Sequence, residues 1–215
     1  MMKGPMSVAL APKFIIVDDF LSKDALTRLD HHVRADPDAL ELMNFGGHPT
    51  EGYSALRKLW VHPRALGPAD SAFLSAMNDS LKDLFAGTGV PPFEVSRMEI
   101  EVCAQRPGSF FAKHIDTDTL EASRSLSSDR LISTVFYFPR EPLAFSGGEL
   151  ILYDFTGLVP AATISPRRNR LVAFPSFAYH EVTPMIAADD SLDAARWSVN
   201  CWLHRRRQGD QRADD

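Results

Sequence analysis

His114 and Asp116 stand two positions apart in the stretch FFAKHIDTDT, residues 110–119. On a strand, residues i and i+2 share a face, so an imidazole nitrogen and a carboxylate oxygen can turn toward one ion. The spacing alone is common in a chain with seven histidines and 28 acidic residues, and a surface pair at a strand end is the plain alternative. A second histidine strengthens the metal reading. His180 follows an apolar run in VAFPSFAYHEVTP, residues 172–184. Two histidines and one carboxylate occupy one face of an octahedral ferrous ion and leave three positions open. The other histidines fit this role less well: His31 and His32 lie in a helical pattern, His48 and His62 in turn-rich text, and His204 opens a basic tail.

A further group with chemical potential is RWSVNCW, residues 196–202. Strand alternation puts Arg196, Ser198, Asn200 and Trp202 on one face, with Trp197, Val199, Cys201 and Leu203 on the other. An arginine on the inner face of a β core is a buried charge, costly unless a carboxylate meets it. Either a dicarboxylate co-substrate or a native acid such as Glu149 or Asp154 supplies that partner.

These residues must be held by strands. From about residue 93 the hydrophobic period is two, and seven or eight short apolar runs follow with turn signals between them, the pattern of an antiparallel sandwich or double-sheet jelly roll. The N-terminal part reads as a strand entering a helix, with Ser22 as N-cap and Ala25, Leu26, Leu29 and Val33 on one face. A second helix is predicted from Asp70 to Phe85, ended by Gly87. The expected class is α+β, mainly β: one domain, with a helical part over 13–90 packed on one sheet of a jelly-roll core over 93–204. Two loops, 44–60 and 118–129, are placed to act as lids.

With 215 residues, 45% hydrophobic and 24% charged, the composition is that of an ordinary folded domain. A net charge of -5 argues against a nucleic-acid partner, the basic run at 204–212 being a polar tail. Cys103 and Cys201 lack pairing or zinc spacing, which fits a reducing cytoplasm. The N-terminal apolar run is too short for a signal peptide or membrane anchor. Exposed strand edges and the first helix leave a homodimer open.

The order HxD, SGGELILYDF, NRLVAFPSFAYHEVTP and RWSVNCW resembles the prolyl-4-hydroxylase-like branch of the Fe(II)- and 2-oxoglutarate-dependent oxygenases, over about residues 96–203. The resemblance implies a double-stranded β-helix with iron on His114, Asp116 and His180. It also implies 2-oxoglutarate, with its distal carboxylate on Arg196, Tyr137 and nearby Ser198, together with O2 and ascorbate. Gly147 and Gly148 match a structural glycine pair. Two departures stand out. The interval from His180 to Arg196 is long, the excess AADDSLDAA reading as a hairpin loop. Where the family pattern has an aromatic before PG, this chain has Arg106, which shares strand parity with Ile100, Val102 and Ala104; that parity points it toward the co-substrate or an acidic part of the substrate, and a solvent-facing arginine at a strand end is the alternative. The implied activity is hydroxylation of a peptidyl or free amino-acid side chain, with release of succinate and CO2. A metal-dependent jelly-roll binding or sensor protein is the competing reading.

Overall fold

The computed structural model describes residues 10–35, 39–42, 57–62, 66–117 and 127–207. Most of both expected lid loops, the start of the N-terminal run and the end of the basic tail lie outside these residues.

Strand β1 (Ile15–Asp18) leads into helix α1 (Lys23–Arg34), where the Ser22 hydroxyl accepts from the Ala25 amide and Ala25, Leu26, Leu29 and Val33 are buried, as their spacing predicts. Short strands β2 (Glu41–Leu42), β3 (Arg57–Lys58) and β4 (Trp60–Val61) precede helix α2 (Asp70–Thr88). This second helix runs past Gly87 and ends at Gly89, whose φ of 71° is the left-handed cap that glycine adopts without a Cβ clash. Gly87 stays within the helix, where its missing side chain makes room for Ile15.

The β core follows: β5 (Arg97–Gln105), β6 (Phe110–His114), β7 (Ser128–Tyr137), β8 (Phe145–Ser146), β9 (Leu150–Tyr153), β10 (Pro160–Ile164), β11 (Arg170–Pro175), β12 (His180–Val182), β13 (Ile186–Ala187) and β14 (Arg196–Arg206). Among the described residues, a major antiparallel sheet has the order β1-β11-β7-β14-β5-β4-β2, and a minor one β10-β9-β12-β6-β3. Strand β10 has no clear sequence signal because it opens on proline and continues with small residues. As the outermost strand of the minor sheet it tolerates that proline. The expected hairpin in AADDSLDAA is instead begun by β13, which pairs with β8.

Parity decides which side of the major sheet does what. Val102, Ala104, Ile132, Phe136, Leu171, Ala173, Trp197, Val199, Cys201 and Leu203 pack with α1 and α2 in one core. The opposite face contributes Tyr137, Val172 and Phe174 to a second core shared with Leu150, Leu152 and Ile164 of the minor sheet. Helices therefore cover the outside of one sheet, and the space between the sheets is left for the site. Among the described residues, no helix is long and apolar enough to cross a membrane.

Candidate active site

His114 ends β6 and His180 begins β12, and the two are direct cross-strand partners. Asp116 lies just past β6, where its amide and that of Thr117 both donate to the Ser176 carbonyl. One donor atom from each of His114, Asp116 and His180 falls within 4.8 Å of the others. The His114 Nε2 is 3.4 Å from Asp116 Oδ1, and His180 Nε2 is 3.6 Å from Oδ2. Each imidazole is fixed by a local contact: Nδ1 of His114 lies 2.8 Å from the Ala112 carbonyl, and Nδ1 of His180 lies 3.0 Å from that of Ala178. A carbonyl only accepts, so Nδ1 carries a proton in each ring and Nε2 is the nitrogen turned toward its neighbours. Phe111 stacks on the His114 ring at 3.5 Å, and Phe174 tilts against His180 at 4.8 Å.

The electrostatics favour a ready donor set. Burial pushes His180 down to about 4, Asp116 opposing and His114 reinforcing the shift, so its imidazole is neutral at physiological pH. Burial alone would raise the Asp116 carboxyl, but His180, His114 and the Ser133 hydroxyl outweigh it and hold it well below the usual carboxylate range. A neutral His180 imidazole and an ionised Asp116 carboxylate are the deprotonated forms that a divalent cation needs. His114 Nε2 is buried without a hydrogen-bond partner, an orphan that an ion would satisfy.

The other end of the same cavity holds Arg196. It is 2% exposed, its Nε donates to the Gly148 carbonyl at 2.7 Å, and its guanidinium lies over the Tyr137 ring at 4.7 Å. Neither native acid pairs with it directly: Glu149, although near enough to act on its charge, accepts from Thr183, and Asp154 is turned into its own loop, accepting from Thr156 and the Leu158 and Val159 amides. Among the described residues Arg196 makes no ion pair, and the hydroxyl of Tyr137 is buried without a hydrogen-bond partner. Gly148 sits so close that a Cβ would come within 2.7 Å of Arg196 Cδ. Gly148 thus does more than shape a strand: it leaves room for the arginine and its carbonyl aims it, while Gly147 makes room for the Pro184 carbonyl. The cavity volume between these two ends is about 50 Å³.

Ser198, Cys103, Gln105, Asn200 and Trp202 also line this cavity. Arg106 does not, which corrects the expectation from parity. The face shared by Ile100, Val102 and Ala104 is the one packed on the helices, while the alternate residues Cys103 and Gln105 face the cavity. Arg106 lies at the end of β5, its guanidinium 3.6 Å from Asp190 and 5.0 Å from the Trp60 ring.

Two residues without an assigned role in the sequence reading hold Asp116. The Trp202 indole N–H donates to Oδ2 at 2.8 Å, and the Ser133 hydroxyl donates to the same oxygen at 2.6 Å. Their signal was present in the period of two, since Trp202 shares a face with Arg196 and Ser133 with Tyr137. Asp116 is 86 residues from Trp202, so no local pattern joins them.

This fold and site define a class of protein. A family model described as the 2OG-Fe(II) oxygenase superfamily matches residues 96–204, and the chain belongs to that family. An uncharacterised PKHD-type hydroxylase of Synechocystis is 32% identical over 147 residues, 65% of this chain and 47% of that protein. A PKHD-type hydroxylase of Shewanella is 32% identical over 82 residues, covering 38% of this chain and 34% of the relative. The chain therefore spans about half or less of the length of the curated relatives it matches. Among solved structures, a Pseudomonas putida prolyl-4-hydroxylase superposes with a TM-score of 0.64 at 23% identity, over 91% of this chain and 94% of that one. A Trichoplax adhaerens prolyl hydroxylase, in complex with a hypoxia inducible factor peptide fragment, superposes with 0.65 at 17% identity, over 89% and 83%. These two likenesses establish the double-stranded β-helix.

Proposed function

We propose that the chain hydroxylates an unactivated C–H bond, with His114, Asp116 and His180 holding Fe(II) and with Arg196 and Tyr137, beside Ser198, holding the distal carboxylate of 2-oxoglutarate. The observation that carries this reading is the pairing, within one cavity, of three clustered metal-ligand donors with a buried arginine that makes no ion pair among the described residues. Iron and co-substrate would together supply the oxidising power by which O2 converts 2-oxoglutarate to succinate and CO2 and inserts one oxygen into the substrate.

The protein's own residues do the positioning. The Ala112 and Ala178 carbonyls orient the two imidazoles, and Trp202 with Ser133 saturates Asp116 Oδ2, leaving Oδ1 as its free donor. Arg196 remains a cation despite burial, since a guanidinium does not deprotonate in proteins. The substrate is an amino-acid side chain, peptidyl or free; the peptide bound by the Trichoplax relative supports the peptidyl form.

Aerobic incubation with Fe(II), ascorbate and 2-oxoglutarate should release succinate even without a primary substrate. A fully metallated protein that released none would favour the binding-module reading instead. The supporting contacts have their own test. Trp202→Phe keeps a ring and removes the indole N–H, so anaerobic titration should show Fe(II) affinity lowered about 10- to 100-fold. Unchanged affinity would make Trp202 a wall of the cavity and nothing more.

A further inference from the structure

Beyond Trp202 the inner face of the major sheet continues outward, and a register shift changes what it presents. Strand β14 pairs Trp202 with Ser133 and Leu203 with Ile132, but His204 pairs with Arg130, so one residue of β7 is skipped. Such a bulge re-aims side chains. Arg130 thereby joins the inner face, its guanidinium over the Trp202 ring at 4.2 Å, and Ser128 follows opposite Arg206. On the other side, β5 continues in unbroken register, with Glu99 opposite Trp202 and Arg97 opposite His204.

The charges on this platform do not cancel. Glu99 is consumed by its own neighbours: it accepts from both Nε and NH2 of Arg130 and lies 2.8 Å from His204 Nε2. Burial alone would raise Glu99, yet its contacts with His204 and Arg130 bring it down to about 2, and with Arg97 one carboxylate serves three donating neighbours. Arg97 touches that carboxylate only at 3.3 Å with 57% of its side chain exposed, and Arg206 is exposed with no ion pair among the described residues. These two arginines, with Ser96, Ser127 and Ser128, line a concavity of about 390 Å³. It is a basic, hydroxyl-lined hollow on a protein of net charge -5.

We propose that this hollow is a subsite for an acidic side chain of an extended polypeptide substrate. The proposal rests on the hydroxylase reading and specifies its substrate. Arg206 lies four residues beyond Trp202, about 13 Å along the strand at a rise of about 3.3 Å per residue. A peptide running outward from the metal position therefore brings a residue about four places away over Arg97 and Arg206. Carboxylates suit the hollow because both arginines offer planar N–H pairs, while the Ser96 and Ser128 hydroxyls are already engaged by the His204 carbonyl and ring and hold that wall in place. A long phosphate polyanion suits it less, since the acidic remainder of the surface repels it.

The test is binding without turnover. Labelled peptides with mixed apolar centres, flanked about four residues away by paired aspartates or by paired lysines, are compared by anaerobic fluorescence anisotropy on Mn(II)-loaded protein. The aspartate set should bind about tenfold tighter, and high ionic strength should erase the difference. The double charge reversal Arg97→Glu with Arg206→Glu should invert the preference. Should that variant unfold, the salt dependence of the unaltered protein decides. Equal binding of the two sets, an unchanged preference in the folded double variant, or tighter binding of a single-stranded oligonucleotide of matched charge would each overturn the subsite. Loss of the preference with succinate release intact removes the subsite alone. An intact preference with no succinate release removes the hydroxylase reading and leaves an acidic-peptide binding face.

Discussion

His180→Ala is expected to abolish tight Fe(II) binding and to lower 2-oxoglutarate turnover by at least about 1000-fold, because two remaining donors do not define a coordination face. The substitution also empties space beside Phe174, so a loss of fold must be separated from a loss of metal. In the unaltered protein, Fe(II) or Mn(II) should raise the unfolding temperature, since a ligand that binds only the native state stabilises it by mass action. In the variant, the metal-free protein should still unfold cooperatively, and added metal should leave that temperature unmoved. A His180→Ala protein that bound iron as tightly as its parent would remove this imidazole from the donor set. The position of the ring makes that outcome hard to accommodate: it is 5% exposed, its Nδ1 is committed to the Ala178 carbonyl, and its Nε2 faces Asp116.

The second large effect is at the opposite end of the cavity. Arg196→Ala should raise the 2-oxoglutarate concentration needed for half-maximal turnover about 100-fold, within the range for removing one partner of a buried, hydrogen-bonded charge pair. Fe(II) affinity should change by less than about threefold, since the guanidinium lies against Tyr137 and Gly148 and contacts none of the three donors. Arg196→Lys should recover only part of the loss: it keeps a charge but forfeits the planar fork that meets a carboxylate with two parallel bonds. Equal losses of iron and co-substrate binding in Arg196→Ala would assign the arginine to the cavity's structure and not to ligand binding.

These expectations draw on features that differ in how far the chain alone reveals them. The α1 face, the two-residue period of β14 and the shared face of His114 and Asp116 follow from local spacing, because a helix repeats every 3.6 residues and a strand every two, whereas the meeting of His180 with that pair depends on the β6–β12 register. Helix α2 ends at Gly89, two residues beyond the expected Gly87, since the two glycines are equivalent by composition and only the backbone shows which one adopts the left-handed turn. Strand β10 is not legible in the chain because an outermost strand beginning with proline carries little hydrophobic alternation.

By itself, the sequence determined the two faces of each strand and the residue types that could share a site: His114 with Asp116, and Arg196 with Ser198, Asn200 and Trp202. Period-two geometry is a property of the strand's own backbone and needs no partner. Only the tertiary structure decided which face each layer covers. It turned the parity of Arg106 away from the co-substrate, brought Trp202 and Ser133 onto Asp116, left Arg196 without a native acid, and used one skipped residue to swing Arg130 onto the platform outside the cavity. Those outcomes depend on pairings between strands tens of residues apart. Register across such distances is set by the packing of the whole core, which no local spacing contains.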